Sequence, residues 1–297
     1  MEAPGRLIEI RGTRLHVDVH GDPAAPPLLF VHGGPGQGAY DFVHHQAALL
    51  STHVRLVAVD QRGSLFSDPL RDGDEVTETQ TVADLEALRE SLGIDRWAVL
   101  GHYFGARIAL RYAVQHPGRV SAAAFENPAW DYARAAVTQV EAVRTLLQQT
   151  GGDTGPAEAL LAQPEPISSA QRLAIVGSLG EAELRLWFHS PERLAGNPLV
   201  STELPDGIPG RGEAPASQLL AHEELHEPLT MLLPQLSMPA LLLLGLYDCV
   251  TDDDTIERFN ADVDFGEVTW LEESGHFCHI EEPHAYARAV TKFVVGS

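Results

Sequence analysis

A short segment with a glycine at each end, residues 101–105 (GHYFG), constrains the fold of this chain more than any other feature. The four residues before it, 97–100 (WAVL), are an apolar run typical of a buried strand. The residues after it, 106–114, have the apolar spacing of a helix. Glycines on both sides allow strand and helix to pass close to one another. The segment therefore predicts a sharp strand-to-helix turn that holds the Tyr103 side chain out of a sheet.

Apolar runs of strand length recur on both sides of a central region that lacks them. They lie at residues 28–31, 54–59, 97–100, 122–125, 241–244 and 268–271. Such continuous runs are typical of parallel strands that are covered on both faces. Residues 7–10 and 15–19 instead alternate apolar and polar side chains, which predicts an antiparallel hairpin at the sheet edge. With helical spacing at residues 82–89 and 286–295, the pattern predicts a doubly wound, mostly parallel α/β sheet.

The region between residues 129 and 236 is predicted to be helical. It is rich in alanine, leucine and glutamate, and loops interrupt it at residues 151–156 and 207–212. It follows the sixth predicted strand, and ligands of open α/β sheets bind beyond the C-terminal ends of the strands. We therefore predict an α/β core formed by residues 1–128 and 237–297 and a helical cap formed by residues 129–236.

Residues that could take part in catalysis follow three other predicted strands. A glycine-rich loop, residues 32–36 (HGGPG), follows the strand at 28–31, while Asp248 and His276 each follow a late strand. The carboxyl ends of parallel strands share one edge of the sheet, so these groups should meet near Tyr103. The order of turn, acid and histidine is that of the α/β-hydrolases and differs from the orders in chymotrypsin and subtilisin.

These segments resemble the proline iminopeptidase branch of the α/β-hydrolases. The resemblance rests on HGGPG, on residues 60–64 (DQRGS), on residues 245–248 and on residues 274–276 (SGH). It implies an α/β-hydrolase fold with a cap, a catalytic acid at Asp248 and a catalytic base at His276. It also implies an oxyanion hole, for which we predict backbone N–H groups of Gly34 and Phe104 as donors. We further expect three neighbouring residues to contact substrate, namely Gly33, Pro35 and His102.

Tyr103 departs from the family pattern, because the motif G-x-S-x-G has serine at this position. A phenol ionises more readily than an alcohol, but its oxygen lies a full ring beyond the position of a serine oxygen. It would overshoot a carbonyl carbon held between Gly34 and Phe104. We therefore predict that Tyr103 serves as hydrogen-bond donor or general acid toward a larger substrate, with Asp248 and His276 as the base.

Three interpretations of function remain open from the sequence. The chain is an active enzyme without a serine nucleophile, a serine hydrolase whose nucleophile has been replaced, or a non-catalytic binding protein. In the first case it adds water directly or catalyses a proton-transfer elimination, isomerisation or cyclisation. The retention of Asp248 and His276 favours an enzyme of the hydrolase family that acts on a small organic molecule.

Several residues near the predicted site have plainer alternatives. Asp248 could cap a helix that begins near Asp252, and His276 could be an ordinary polar loop residue. His32 is expected to brace its glycine loop. A thiol nucleophile or a Cys–His metal site is conceivable at Cys249 and Cys278, but no paired ligand spacing exists and packing is the favoured role. We predict no metal and no cofactor.

The formal net charge of −22 at pH 7 argues against nucleic acid or an anionic membrane as a partner. Solubility explains the charge most simply. The resemblance also implies that acidic side chains of the cap hold a substrate ammonium group, with candidates Glu181, Glu183, Glu223, Glu224 and Glu227. Two cysteines, no signal-peptide pattern and no membrane-length apolar stretch lead us to expect a cytoplasmic protein.

Overall fold

Eight strands form a single sheet in the computed structural model, which describes residues 5–204 and 207–296. The strands are β1 (Arg6–Ile10), β2 (Thr13–His20), β3 (Pro27–Val31), β4 (Arg55–Val59), β5 (Trp97–His102), β6 (Val120–Glu126), β7 (Ala240–Gly245) and β8 (Gly266–Leu271). Their order across the sheet is β1-β2-β4-β3-β5-β6-β7-β8. β1 and β2 pair antiparallel to each other, β2 pairs antiparallel to β4, and the other neighbours are parallel. The predicted edge hairpin and the mostly parallel α/β sheet are confirmed.

Helices cover both faces of the sheet. They are α1 (Tyr40–Leu50), α2 (Glu78–Ser91), α3 (Phe104–Gln115), α4 (Tyr132–Thr150), α5 (Gly155–Ala162), α6 (Ser169–Gly177), α7 (Leu184–Trp187), α8 (Glu213–Ala221), α9 (Asp253–Asp262), α10 (Cys278–Glu281) and α11 (Pro283–Gly296). Side chains alternate between the faces along each strand. In β3, Leu28 and Phe30 join the cluster of Phe42 on α1, whereas Leu29 joins that of Ile108 on α3. The sheet therefore separates two apolar layers.

Some local boundaries differ from the sequence prediction. β5 extends two residues beyond 97–100, through Gly101 and His102, so the turn begins directly at Tyr103. α1 was not predicted, because its buried face includes the polar side chains of Asp41 and Gln46 and so lacks a clean apolar stripe. α5 begins at Gly155, within a segment predicted to be loop, since Pro156 is well placed in the first turn of a helix.

The described part of residues 129–236 contains α4 to α8 and several short 3-10 helices, and no strand occurs in it. This region leaves the sheet after β6 and returns to it at β7. Among the described residues, no helix has the length and apolar character needed to cross a membrane.

Candidate functional site

Tyr103 stands at the tip of a tight turn between β5 and α3. Its φ is 52°, a region that non-glycine residues rarely adopt. A Cβ atom on Gly101 would overlap the backbone of Gly105, and one on Gly105 would overlap the carbonyl oxygen of Val31. Both glycines are therefore needed where strand, turn and helix meet, and the surrounding packing holds Tyr103 in its strained conformation.

Asp248 and His276 lie together, as the order of the motifs predicts. Nδ1 of His276 is 2.7 Å from Oδ1 of Asp248. The other carboxylate oxygen accepts a hydrogen bond from the backbone N–H of Thr251 at 2.8 Å. The His276 ring is buried, and its centroid is 5.0 Å from that of Tyr103 at an interplanar angle of 83°. With Nδ1 engaged by the carboxylate, Nε2 is the nitrogen left for proton transfer.

The helix-cap alternative for Asp248 does not fit this geometry. Asp252 is the N-cap of α9, and its side chain accepts from the backbone N–H of Thr255 at 2.9 Å. Asp248 instead directs one oxygen to His276 and the other to its own loop.

Asn127, at the end of β6, was missed by the sequence prediction. Its side-chain N–H groups donate to the carbonyls of Gly275 and His276 at 3.2 and 2.8 Å, and its Oδ1 accepts from the N–H of Gly245 at 3.0 Å. Asn127 therefore connects the loop that contains His276 to the C-terminal end of β7, the strand that leads to Asp248. The only local signal is an asparagine, which tolerates positive φ, directly after a strand.

A buried polar cluster lies next to the elbow, the turn at residues 101–105 between β5 and α3. Glu126 is hydrogen-bonded to Nδ1 of His279 at 2.9 Å and accepts from the hydroxyl of Tyr286 at 2.9 Å. Burial raises the pKa of Glu126, but the nearby rings of His279 and His102 and these hydrogen bonds outweigh it and lower the pKa to about 2. Burial also lowers the pKa of His102 well below its ordinary value. A neutral His102 can donate from Nε2 to the carbonyl of His276, 3.1 Å away.

This cluster is also the one place, within the described ranges, where ligand atoms gather closely enough to hold a metal ion. One atom each from His102, Glu126 and His279 lie within 4.8 Å of one another. However, hydrogen bonds within the protein already engage Nε2 of His102 and Nδ1 of His279. The cluster therefore fits a support for the His276 loop better than a metal centre.

The glycine-rich loop after β3 packs directly against the elbow. A Cβ atom on Gly33 would lie only 3.0 Å from Nδ1 of His102 and 3.1 Å from Cβ of Tyr103. His32 braces the loop as expected: its Nδ1 contacts the carbonyl of Gly33, and its Nε2 accepts from the N–H of Gln61 at 3.0 Å.

The two residues predicted to supply oxyanion donors are both neighbours of Tyr103: Gly34 lines a cavity with it, and Phe104 follows it in the chain. Gly34 has a φ of 109°, which favours glycine. The cavity that Gly34 and Tyr103 line is a pocket of about 310 Å³. Phe104 is the first residue of α3, where N–H groups lack intrahelical partners. None of the three predicted substrate contacts, Gly33, Pro35 and His102, is among the residues that line this cavity. Gly33 and His102 are buried, and Pro35 is half-buried.

A cavity of about 310 Å³ opens beside Tyr103. Its lining residues are Gly34, Gln37, Tyr103, Glu183, Leu184, Trp187, Phe188, Leu199, His276 and Phe277. Of the five candidate glutamates, Glu183 is the one in this lining. Glu224 instead accepts from the N–H of Glu78, and Glu227 pairs with Arg111.

The two cysteines are free thiols buried beside the acid and base loops. Burial raises the pKa of both Cys249 and Cys278 well above that of an ordinary thiol. A neutral thiol is a poor nucleophile, so this environment agrees with a packing role.

Comparisons with known proteins agree with this geometry. A family model described as alpha/beta hydrolase fold matches residues 26–283. The proline iminopeptidase of Neisseria gonorrhoeae is 37% identical over 107 residues, which are 36% of this chain and 34% of that protein. The match thus spans about a third of the length of such curated relatives.

Solved structures match over nearly the whole chain. The proline iminopeptidase-related protein of Thermus thermophilus has a TM-score of 0.75 at 24% identity, covering 99% of this chain and 98% of that one. The proline iminopeptidase of Mycobacterium smegmatis has a TM-score of 0.74 at 20% identity, covering 98% of each chain. The chain therefore belongs to the α/β-hydrolase fold family and resembles its proline iminopeptidase branch.

Proposed function

We propose that this chain is an enzyme acting on a small organic substrate, with Tyr103 as general acid and His276, oriented by Asp248, as general base. The observation that carries the proposal is the 2.7 Å contact between Nδ1 of His276 and Oδ1 of Asp248 beside a cavity that Tyr103 also lines. Burying such a pair is costly. A role in ligand binding alone gives no reason to bear that cost.

The position of the phenol favours proton donation over nucleophilic attack. The Tyr103 oxygen lies a full ring farther from the backbone than a serine oxygen would, so it passes the point between Gly34 and Phe104 where an acyl carbon would be held. Its ring also occupies space that an acyl group would use. A substrate oxygen or nitrogen farther into the cavity is better placed to receive its proton.

Two reaction classes fit an acid and a base on one cavity. In the first, His276 removes a proton from water, which then adds to the substrate while Tyr103 protonates the leaving group. In the second, His276 removes a proton from a substrate carbon while Tyr103 protonates either a departing hydroxyl, which leaves as water, or a substrate oxygen that becomes a hydroxyl, as in elimination, isomerisation or cyclisation. Both need no covalent intermediate on the chain, and N–H groups of Gly34 and Phe104 would stabilise negative charge that develops on a substrate oxygen.

The cavity suggests a compact, largely apolar substrate. A volume of about 310 Å³ lies at the low end of ligand sites, and the lining is mostly apolar or aromatic. Glu183 supplies a carboxylate, which accepts from the indole N–H of Trp187 at 3.3 Å. We propose that Glu183 binds a cationic or hydrogen-bond-donating group of the substrate, the role that the resemblance to proline iminopeptidases implies for acidic side chains of the cap.

The second candidate function is a serine hydrolase whose nucleophile has been replaced. The intact elbow favours it, because Tyr103 keeps a positive φ and both flanking glycines are required by close contacts. In that case a serine at this position would restore acyl transfer.

Substitutions of Tyr103 separate these functions. Tyr103→Phe removes only the hydroxyl, so we expect kcat/KM to fall by about 10²–10⁴-fold while the protein stays folded. Turnover would be measured on nitrophenyl esters, prolyl and other aminoacyl nitroanilides, and small lactones. Tyr103→Ser should not restore activity.

The other outcomes identify the alternatives. Burst kinetics and strong hydrolysis by Tyr103→Ser would establish the replaced serine hydrolase. Wild-type turnover by Tyr103→Phe would remove the phenol from the reaction. Ligand binding by all variants, with turnover by none of them including the wild type, would establish a binding protein.

A further inference from the structure

The cap contributes two separate stretches to the wall of the cavity beside Tyr103. Residues 183–188 supply four of the lining residues, and Leu199 belongs to a second stretch. The first stretch is held by the His276 loop, because the backbone N–H of His276 donates to the carbonyl of Trp187 at 2.8 Å. Leu199 lies in another part of the cap, so different contacts must fix its position.

Helix α1 of the core holds the second stretch through two side chains. Asp41 and His45 are one helical turn apart and therefore lie on the same side of α1. The carboxylate of Asp41 accepts from the backbone N–H of Ser201 at 2.9 Å and also from the hydroxyl of Ser201. Nε2 of His45 is 2.9 Å from the carbonyl oxygen of Pro198, which can only accept a hydrogen bond. The two contacts thus lie on either side of Leu199 in the chain.

Asp41 is committed to its contact with the cap. It is 7% exposed, and Ser201 engages both of its carboxylate oxygens. A buried carboxylate needs such donors, because its desolvation is otherwise uncompensated. Ser201 lies in the first turn of a short 3-10 helix, Val200–Glu203, where N–H groups lack partners within the helix. Asp41 therefore caps this helix, and hydrogen bonds to a charged acceptor are about twice as strong as neutral ones.

The same core helix is connected to another part of the cavity lining. α1 begins at Tyr40, shortly after a loop whose Gly34 and Gln37 line the cavity. Leu199 is partly exposed, so it borders solvent as well as the cavity. α1 thus links a core part of the lining to the cap residue that stands at its border.

We propose that Leu199 limits the size of the substrate that this cavity accepts, and that Asp41 and His45 are the positioning residues that hold it there. A branched apolar side chain at the border with solvent excludes substrates that extend past it. The inference rests on the proposed function, because it takes the cavity of about 310 Å³ as the substrate site. Within the class of compact, largely apolar substrates, Leu199 is then the residue that sets the upper size.

Tryptophan fluorescence can follow the position of Leu199 without a substrate. The chain has four tryptophans. Trp97 and Trp130 are fully buried, Trp270 is 44% exposed, and Trp187 lines the cavity together with Leu199. In a Trp270→Phe background, Trp187 is the accessible tryptophan. The Stern–Volmer constant for quenching by acrylamide then measures how open this part of the cavity is.

The decisive variant in that background is Asp41→Ala, which removes both hydrogen bonds to Ser201. We expect the quenching constant to rise by about twofold, because a local segment can open without global unfolding. Leu199→Ala, which shortens the side chain at the border, should raise the constant by a similar factor. Asp131→Ala is the matched control, since it removes the same kind of bond, from the backbone N–H of Arg134 at 3.1 Å, outside the cavity lining. Its quenching constant should equal that of the background protein.

His45→Ala tests the second contact and replaces Asp41→Ala if that variant does not fold. It should raise the quenching constant in the same direction, because the carbonyl of Pro198 loses its partner on α1. Circular dichroism and Tm establish that each variant is folded. An Asp41 that only supports the fold would lower Tm and leave quenching well below Tm unchanged.

Substrate size provides a second readout. On a series of esters or nitroanilides of increasing chain length that the wild-type protein converts, kcat/KM for the longest relative to the shortest should rise by about tenfold in Leu199→Ala and in Asp41→Ala. The ratio should not change in Asp131→Ala.

Several results would overturn the proposal. They are background quenching in Leu199→Ala, background quenching in both Asp41→Ala and His45→Ala, an equal rise in Asp131→Ala, and an unchanged size profile in Leu199→Ala. Failure of the proposed function is distinguishable, because undiminished turnover in Tyr103→Phe detects it, whereas the quenching constants do not depend on turnover.

Discussion

At the scale of single residues, the site is unusual because its reactive position is a phenol while its supports are those of a family with a serine there. The chain keeps the glycines of the elbow, the acid and the histidine in their expected order. A side chain that the motifs do not include, Asn127, joins the loop of His276 to the end of β7.

Asn127 allows a direct test of how much the position of the His276 loop matters for stability and turnover. Asn127→Ala leaves two carbonyls and one N–H in the interior without this partner, so we expect the free energy of unfolding to fall by about 2 kcal/mol. The turnover of a substrate that the wild-type protein converts should fall as well, because His276 loses its alignment with Asp248. Urea unfolding and kcat measure the two effects. Asn260→Ala, at an exposed position of α9, is the control, and a variant that matched it in both measurements would contradict this role.

At the scale of elements, the elbow depends on the crossing of β3, β5 and α3. The N-terminal turn of α3 lies so close to β3 that there is no room for a side chain at position 105, which is therefore glycine. The conformation of Tyr103 is thus a consequence of how three elements pack, and it does not come from the tyrosine itself.

Gly105→Ala tests this crossing. The added methyl group would overlap the carbonyl oxygens of Val31 and His32, and such overpacking typically costs about 1–3 kcal/mol. We expect a corresponding loss in the free energy of unfolding, measured by urea titration, and a displaced elbow with lower turnover. Gly118→Ala is the matched control, because no atom lies within 4 Å of its new Cβ atom. Equal stability of the two variants would show that the elbow can accommodate a Cβ atom at position 105.

Prediction from sequence succeeded where a residue belongs to a recognisable motif at the end of a strand. Tyr103, Asp248 and His276 could be placed because each ends a strand and parallel strands end at one edge. Asn127 could not be linked to its partners Gly275 and His276, because it belongs to no motif and its hydrogen bonds depend on the packing of loops that are 148 and 149 residues away.

At the scale of the whole molecule, a fall in pH has two opposite effects on the stability of the fold. The formal net charge of −22 at pH 7 creates repulsion among surface carboxylates, which mild acid relieves. The buried Glu126 acts the other way, because the fold lowers its pKa from 4.5 to about 2. A lowered carboxyl pKa contributes stability that is fully present above about 4.5 and is lost as pH falls toward 2. Acid unfolding therefore reflects the interior cluster as well as the surface.

Glu126→Gln separates the two effects. At neutral pH we expect a loss of about 3 kcal/mol in the free energy of unfolding, because His279 and Tyr286 lose a charged partner in the interior. The difference from the wild-type protein should shrink as pH falls from 4.5 toward 2, since the wild-type carboxylate becomes protonated there. Urea unfolding at a series of pH values measures it, with the exposed Glu267→Gln as control. A difference that stayed constant over this range would show that the buried cluster does not govern acid stability, which would then rest on the surface charge alone.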